Sequence, residues 1–589
     1  MAGFQEINVE FGELNTELPF WRLESGDADI ALNVVVREGR LQKRAGFSRD
    51  DETVDTARMI QGPDGNLYTR TVAGWFYVWA GRVYFNAATG SVYSLTGDFA
   101  TTKKAGLPRP AAGFAVAAFT GGRLEGEYHV HWTYYNSSTG EESVLSLPQA
   151  SYEPLQTRAS DGRGGIAISS LQANADYTYD KRRIYLSRGA SERVLSRTPS
   201  FHVYLSQETA STSLTAIGSS RFQGDRDHPH HPNAGGEPPA STVGCFDGSQ
   251  AVYCVGTSGE VEFSLPGFPT MVPRQETYTA SGSGWSYTAY VEPEPWRGEM
   301  QKGLPAAPVA AAAGAGRIVI CTAGAMVEMV RREDGRLFPR QIHNAGCSGA
   351  QGIIGTPHAI HVLGGEAWYV IGPESSPLDT SYGHWTPTID AISSPSACVV
   401  AHFSYLHQVW LADGSSIYII DDRSGLLLGK FTVAGLGTVK AMCEFTSQTA
   451  NPVMKVASTT GTWTYDPDST TQTDDNETGF AAQWQGYVRV AQPGTEATLL
   501  RVTFDISANT PGEGTGLQLS AGVLRSETET FTDNYFDCSG TGVTVIGAPE
   551  MSPYYRGEVV RIKVASESNG SSTWKIDLIR VAFDTEREG

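Results

Sequence analysis

The feature that most constrains this chain is a strand-length pattern that recurs between turn residues. Examples are the runs Leu67–Thr71, Trp75–Trp79 and Gly81–Phe85, which are rich in aromatic and β-branched residues. Runs of this kind, several of them alternating apolar and polar residues, are typical of short β-strands. Glycine supports the same interpretation: the chain has 65 glycines, where average usage predicts roughly 41. The sequence therefore predicts an all-β fold of short strands joined by tight turns.

The strand pattern also repeats as a larger unit. The runs His407–Ala412 and Ser416–Asp421, joined by Asp413–Gly414, predict a hairpin, and the runs Val453–Ala457 and Thr462–Asp466 repeat the scheme. Spacings of roughly 30 to 45 residues between such units are typical of propeller blades. We therefore expect an irregular β-propeller of roughly six blades. Stacked β-sandwiches are the alternative, because the repeats carry no Trp-Asp or kelch signature.

Two segments depart from the blade pattern. The first opens with the proline-rich Leu107–Pro110 and closes in a second proline cluster, which predicts an inserted β-sandwich. The second has longer alternating strands and follows the acidic linker Asp466–Glu477, which predicts a C-terminal β-sandwich. The expected domains are the N-terminal strands with the first blade (1–107), the inserted β-sandwich (108–238), the remaining blades (239–470) and the C-terminal β-sandwich (481–589).

The charge balance is acidic: 44 Lys and Arg face 64 Asp and Glu, a formal net charge of −20. DNA affinity depends on basic side chains that displace counterions, so this balance disfavours a tight DNA-binding protein. It does not disfavour a surface past which DNA slides. A plainer interpretation is that the charge keeps the protein soluble.

Cysteine usage and the N-terminal residues bear on the compartment. The seven cysteines form no Cys-x-x-Cys pair, and most lie in apolar, strand-like runs, which predicts buried, reduced thiols and assembly in a cytosol. The opening residues have neither a basic nor an apolar stretch, so we expect no secretory signal. The apolar run Pro305–Gly316 is too short and too interrupted to cross a bilayer, so we expect no membrane span.

Histidines offer two candidate metal ligand sets. His129 and His131 lie two apart on a predicted strand and so share one face, but no third ligand follows in sequence. A histidine-rich turn lies at His228–His231. Its interleaved prolines favour an extended linker over a metal site.

Other catalytic patterns are absent or unspecific. The chain has no Gly-x-Ser-x-Gly, His-Glu-x-x-His or Walker motif. Asp421 and Asp422 follow a predicted strand and are interpreted as turn caps. Carboxylates are plentiful, and nothing in the sequence singles out a catalytic pair. We therefore expect no catalytic residue, no metal and no cofactor, and a chain that is not an enzyme.

Four stretches carry a family resemblance when they are read in order. Ala31–Phe47 is an Asn-containing strand, a turn and Lys-Arg-Ala-Gly-Phe; Gly126–Ser143 is a strand, a turn and Gly-Glu-Glu-Ser. Arg182–Arg188 leads to a short proline cluster, and the fourth stretch runs from Gly316 to Ile371. In this order they resemble the tail nozzle, or tail tubular stabilisation, proteins of short-tailed bacteriophages, over about residues 10 to 375. Leu186 departs from the family pattern, which usually has arginine there.

The resemblance implies a structural virion protein, a propeller subunit of a homo-oligomeric ring of about six copies. Such a ring lies beneath the phage adaptor, the head-to-tail connector protein. It extends the DNA ejection channel and anchors tail fibres or spikes. Phage DNA would pass through the channel without specific binding. Assembly would take place in the host bacterial cytoplasm, and the finished protein would belong to the phage tail.

A closed ring requires two different contact patches on each subunit. Arg40, Lys43 and Arg44 flank a short N-terminal strand and could pair with acidic groups of a neighbour. With Phe47 they are the candidate interface toward the adaptor or the next subunit. Solvated hairpin charges are the alternative interpretation. The alternative functions are a propeller that binds or cleaves receptor glycans and a trimeric tail fibre or spike.

Overall fold

The computed structural model describes residues 3–585 apart from a set of excluded segments. These segments are 18–22, 24–26, 38, 52–55, 72–73, 88, 96–100, 111–112, 123, 125, 147–154, 158, 189–203, 218–233, 256–258, 273–275, 283–284, 292–301, 334–335, 448–449, 470–472, 475–477, 492–495, 511–516, 525–534, 539, 548–555 and 567–572. Strands make up most of the described chain, so the expected all-β class is confirmed. The helical segments among these residues are single turns: Ala159–Asp161, Thr386–Asp390, Pro395–Ala397 and Ser404–Leu406.

The chain divides into two compact units. The first contains Met1–Ala73, Ala312–Met326 and Ile342–Gly589; the second contains Gly74–Ala311 and Val327–Gln341. Both units are discontinuous in sequence, so each is completed by segments distant along the chain. The four domain borders expected from the sequence stay predictions.

Six four-stranded arrangements recur along the described chain, here called the first to sixth meanders. The first meander consists of Phe76–Trp79, Arg82–Asn86, Val92–Leu95 and Thr102–Lys104, and the second of Ser241–Phe246, Ala251–Val255, Glu260–Phe263 and Lys302–Gly303. The third consists of Pro308–Gly314, Arg317–Thr322, Met326–Arg331 and Leu337–His343, and the fourth of Ile353–Gly355, Ile360–Leu363, Trp368–Ile371 and Leu378–Asp379. The fifth consists of Val399–Phe403, Gln408–Asp413, Ser416–Asp421 and Leu427–Thr432, and the sixth of Val439–Phe445, Val453–Ser458, Gly461–Tyr465 and Phe47–Asp51. Three separate strand pairs are Arg58–Gln61 with Leu67–Arg70, Glu276–Gly282 with Trp285–Val291, and Thr473–Asp474 with Thr478–Gly479.

The sixth meander takes its fourth strand from the beginning of the chain. Phe47–Asp51 pairs antiparallel with Gly461–Tyr465, and Phe47 lies opposite Tyr465. The other three strands of this sheet follow one another in sequence. A contact between residues more than 400 positions apart therefore completes a sheet whose other connections are all local.

The fifth meander shows how the local sequence determines a hairpin. Gln408–Asp413 and Ser416–Asp421 pair in register, and Gly414 in the turn has a φ of +58°. Glycine adopts this left-handed conformation without steric cost. Because Asp413 pairs with Ser416, the two turn residues are Gly414 and Ser415, one position later than the predicted Asp-Gly turn. The fully buried Trp410 packs edge-on against neighbouring rings. These rings are Phe403, Phe431 and Tyr465.

In the first unit, two large sheets share one hydrophobic core. One is nine-stranded: the fifth meander continues through Ala28–Leu32, Ala482–Arg489, Val559–Ser566, Leu517–Leu524 and Phe536–Cys538. The other is seven-stranded, with Val34–Arg37, Arg40–Lys43, Thr573–Thr585, Ala497–Thr510, Gly542–Gly547, Gly3–Val9 and Arg556–Gly557. Alternating residues of both sheets face inward, for example Ile562 and Val564 from one and Ile579 and Val581 from the other.

The second unit contains a further pair of sheets around a common core. Three strands form one sheet: Ala115–Phe119, Gly165–Ser169 and Leu214–Ile217. Six form the other: Tyr204–Thr209, Lys181–Arg188, Gly126–Tyr135, Glu142–Ser143, Ala234–Gly235 and Leu155–Thr157. Trp132 from the larger sheet and Ile166 from the smaller are both fully buried in this core.

All seven cysteines are free thiols, as the sequence predicts. Burial raises the pKa of Cys254 to about 12, so this thiol stays protonated and unreactive at neutral pH. In the described part of the chain, no helix has both the length and the apolar character needed to cross a membrane.

Candidate functional site

Two of the residues predicted as an interface, Arg44 and Phe47, lie at a buried charged cluster, here called the Arg44 junction (Asn33, Arg44, Asp474 and the groups bonded to them). The Arg44 side chain is fully buried, and each of its five N–H groups has an acceptor. Nε donates to Asn33 Oδ1 (3.0 Å), and the two terminal nitrogens donate to both oxygens of Asp474 (2.8 Å each). The remaining donors bond the carbonyl oxygens of Ala45 (2.8 Å) and Thr432 (2.7 Å).

Asp474 is fully buried as well, and it uses both oxygens twice. Besides Arg44, Oδ1 accepts from the Phe47 backbone N–H (3.1 Å) and Oδ2 from the Ala434 backbone N–H (3.2 Å). A buried ion pair is stable only when its remaining donors and acceptors are also satisfied. This bidentate pair meets that condition, and it connects residues 430 positions apart.

Asn33 is the third member of the junction and lies in a left-handed conformation, with φ of 54°. Asparagine is among the few residues with a β-carbon that adopt this conformation readily. Its Oδ1 also accepts from the Thr432 backbone N–H (2.9 Å), and its amide donates to the Ala481 carbonyl (2.7 Å). The junction thus joins an N-terminal turn to the end of the fifth meander and to residues near 474–481.

The four predicted interface residues have different surroundings. Lys43, Arg44 and Phe47 are buried inside their own unit, whereas the Arg40 side chain is 42% exposed and its Nε lies 3.4 Å from Asp577. Burial, together with the adjacent Arg44 guanidinium, lowers the pKa of Lys43 to about 8. The observed role of the three buried residues is therefore within the chain. Whether this segment contacts an adaptor or a neighbouring subunit stays a prediction.

A second buried cluster joins two of the stretches that carry the family resemblance. Gly126–Tyr135 and Lys181–Arg188 are adjacent antiparallel strands. The fully buried Glu142 accepts hydrogen bonds from Thr133 Oγ1 (2.7 Å), Arg183 Nη1 (2.7 Å) and the Tyr185 hydroxyl. The Gly-Glu-Glu-Ser and Arg-Arg-Ile-Tyr stretches therefore form one hydrogen-bonded element, in which the charges of Glu142 and Arg183 pair with each other.

The remaining candidates have mixed outcomes. His131 is buried with its Nδ1 3.0 Å from the Ser146 carbonyl oxygen, whereas the His129 side chain and His228–His231 lie outside the described residues. Asp421 is confirmed as a turn cap, because its Oδ1 accepts from the backbone N–H groups of Arg423 and Ser424. Asp422 lies in the same turn, but its side chain points to a different set of groups. It is buried among histidines.

Sequence reasoning missed Asn33 and Asp474. Their only sequence signals are an asparagine between two apolar strands and an aspartate within a polar, acidic segment. Neither signal identifies a partner, because the contacts form between distant parts of the chain. As a chemical site, the junction offers no exposed nucleophile, acid or base; it positions the strand Phe47–Asp51.

Comparison with known proteins gives little further information. No protein-family model matches the chain, and no curated protein matches it. Among solved structures, the chain is similar to the extracellular domain of BT4673, a protein of B. thetaiotaomicron assigned to the one component systems. The identity is 8% and the TM-score 0.24, over 68% of this chain. The match spans 45% of that protein's chain, and a similarity this low carries no argument about fold or function.

Proposed function

We propose that this chain is a structural subunit of the tail nozzle ring of a short-tailed bacteriophage, and that it is not an enzyme. In this role it extends the DNA ejection channel below the adaptor and anchors fibres or spikes. The proposal starts from the four stretches that resemble the nozzle family. The one structural observation that supports it most is that the strand Phe47–Asp51 completes the sixth meander.

That pairing supports a propeller architecture for a physical reason. A circle of blades has no free edge when the last blade takes a strand from the beginning of the chain. Within the first unit, the sixth meander is completed in this way, by Phe47–Asp51. The buried Arg44 junction then has a structural role, because it holds the closing strand, Phe47–Asp51, beside the fifth meander.

Charge supports the role as a DNA passage. Six copies would carry a formal net charge of −120, six times the −20 of one chain. Acidic groups along a channel wall repel phosphates, so DNA would pass without adhering. A basic channel wall in an assembled ring would contradict this part of the proposal.

The oligomeric state provides the direct test. We expect native mass spectrometry and negative-stain images, recorded with and without the adaptor of the same phage, to show a ring of about six copies. A trimer would support a fibre or spike instead. A monomer that cleaves or binds glycans, and forms no ring with the adaptor, would support the receptor-directed alternative.

An exposed strand suggests where subunits meet. Gly542–Gly547 lies at the edge of the seven-stranded sheet in the described residues, with Val543 61% and Val545 52% exposed. Edge strands with exposed apolar side chains are prone to pair with another chain. We expect Val543→Lys with Val545→Lys to abolish the ring and leave the circular dichroism spectrum unchanged. Ser415→Lys, in an exposed hairpin turn, is the control and should leave the ring intact; rings that persist in the valine double variant would exclude this edge.

A further inference from the structure

Three side chains converge at one end of the fourth and fifth meanders, within the first unit. A nitrogen of His358, a nitrogen of His407 and a carboxylate oxygen of Asp422 all lie within 4.8 Å of one another. None of the three was identified as a ligand from the sequence. We propose that His358, His407 and Asp422 form a binding site for a divalent transition metal, with Zn²⁺ as the best match.

The backbone holds the three residues in place. His407 follows the turn Ser404–Leu406 in a left-handed conformation, with φ of 55°, and its carbonyl accepts a hydrogen bond from the Asp422 N–H (3.1 Å). His358 lies in a turn in which Thr356 Oγ1 accepts from the N–H groups of His358 (3.2 Å) and Ala359 (3.0 Å). The ligand atoms therefore come from three turns that hydrogen bonds keep ordered, which favours metal binding without large rearrangement.

Asp422 supplies an independent indication of a ligand. Its side chain is 1% exposed, and Oδ1 has no hydrogen-bond partner among the groups that the structure describes. Oδ2 lies 3.1 Å from His402 Nε2 and 3.8 Å from His407 Nδ1. Leaving one oxygen of a buried carboxylate unsatisfied is costly, and a bound cation would remove that cost.

The surroundings resemble the outer shell of a metal site. Two further histidines contact Asp422. His402 Nε2 lies 3.1 Å from the carboxylate oxygen Oδ2, and His361 Nε2 lies 2.9 Å from the backbone carbonyl oxygen of Asp422. Metal-bound carboxylates are commonly held by hydrogen bonds of this kind. The His407 side chain is 63% exposed, so an ion can enter from solvent.

The donor set indicates the class of metal. Two imidazole nitrogens and one carboxylate oxygen suit borderline ions such as Zn²⁺, whereas Mg²⁺ and Ca²⁺ prefer oxygen ligands alone. Three protein ligands leave a fourth position for water. Because the ligands come from the fourth and fifth meanders, the bound ion would crosslink these two consecutive meanders. This inference does not depend on the proposed function.

The test uses the full chain after a chelator has removed bound metal. The protein is titrated with Zn²⁺ alone in a calorimeter, and elemental analysis then measures the zinc bound per chain. We expect one tightly bound zinc per chain and a higher thermal midpoint in its presence. His358→Gln and His407→Asn should each weaken binding by more than about 10-fold. Asparagine is chosen at position 407 because it tolerates the left-handed backbone. Spectra of the Co²⁺-substituted protein report ligation independently of folding.

A matched control separates this cluster from an ordinary histidine–carboxylate contact. His384 Nδ1 lies 2.6 Å from Glu13 Oε1, so His384→Gln removes a similar pair elsewhere in the same unit. It should leave zinc affinity unchanged. The proposal is overturned if the unaltered protein binds no zinc, or if His358→Gln and His407→Asn both bind zinc as tightly as the unaltered protein.

Discussion

Replacing Asp474 with alanine is expected to lower the free energy of unfolding of the first unit by about 3–5 kcal/mol, the cost of breaking a buried ion pair from one side. The substitution leaves the Arg44 guanidinium fully buried without its carboxylate. It also removes the acceptor for the backbone N–H groups of Phe47 and Ala434. The loss at Phe47 acts directly on the strand that completes the sixth meander, and the loss at Ala434 acts just after the end of the fifth.

A second substitution separates the charge from the hydrogen bonds. Arg44→Met in the Asp474→Ala background removes the uncompensated cation, and a buried pair replaced by apolar groups can be close to neutral. We therefore expect the double variant to recover part of the lost stability. Recovery should be incomplete, because the two backbone N–H groups at Phe47 and Ala434 remain without their acceptor.

Urea unfolding measures the loss, and hydrogen exchange locates it. Amides of Phe47–Asp51 and Gly461–Tyr465 should exchange faster in the Asp474→Ala variant. Asp577→Ala is the matched control, because Asp577 is 30% exposed and pairs with Arg40 at 3.4 Å. Exposed pairs contribute about 0.2–1 kcal/mol. Equal losses in the two variants would mean that the Arg44 junction does not hold the closing strand.

Most strands of this fold could be predicted because their signals are local. The run Gly81–Phe85 predicts a strand that the structure places at Arg82–Asn86, and the hairpin predicted within residues 407–421 forms with its turn one position later. Period-two patterning and turn chemistry involve only neighbouring residues. The prediction therefore did not require knowledge of the tertiary structure.

Pairings between distant segments could not be predicted in this way. Nothing near Phe47 indicates that its strand pairs with Gly461–Tyr465, and nothing near Gly3–Val9 indicates pairing with Thr573–Thr585. The same limit applies to charges: Arg44 looks like a surface residue in sequence, because its partner Asp474 lies 430 positions away. A buried arginine with all donors satisfied is evident only when the acceptors are assembled.

The candidate metal site was missed for a related reason. The sequence drew attention to histidines that are close along the chain, at 129 and 131 and at 228–231. The structure brings together His358, His407 and Asp422, which come from three separate turns. Metal sites in β-proteins can be built at strand ends, where residues distant in sequence converge, so local spacing is a poor guide to them.

The stability of the second unit should fall as pH rises from about 4 to about 7, because of one buried carboxyl group. Glu141 is 4% exposed, and Oε2 accepts from Thr139 Oγ1 (2.7 Å) while Oε1 has no partner among the described groups. Burial raises the pKa of Glu141 to about 7, although the Thr139 hydrogen bond and the Arg82 charge act in the opposite direction. The folded protein therefore holds this proton over a pH range in which an unfolded glutamate, with a pKa of about 4.3, has already lost it.

The direction of this pH effect follows from the linkage between proton binding and folding. Well below the unfolded pKa of about 4.3 both states are protonated and the full contribution is present; as pH rises from there toward 7 only the unfolded state ionises, so stability is lost. One pKa unit corresponds to about 1.4 kcal/mol, so the difference of about 2.7 units makes the total loss about 4 kcal/mol by pH 8. Glu141→Gln removes the titration and nearly preserves the side-chain shape. We expect the variant to match the unaltered protein below about pH 4 and to exceed its stability by about 1 kcal/mol at pH 5 and about 4 kcal/mol at pH 8.

Comparing the two proteins isolates Glu141 from every other titrating group. Urea unfolding of both at pH 5, 6, 7 and 8 gives a stability difference in which shared contributions cancel. That difference should grow with pH and level off above about 7, where Glu141 is ionised in both states. A constant difference would show that the carboxyl group ionises normally in the folded unit. The hydrophobic cluster of Tyr77, Tyr84 and Tyr253, whose hydroxyls lie within electrostatic range of Glu141, would then have to be hydrated despite its burial.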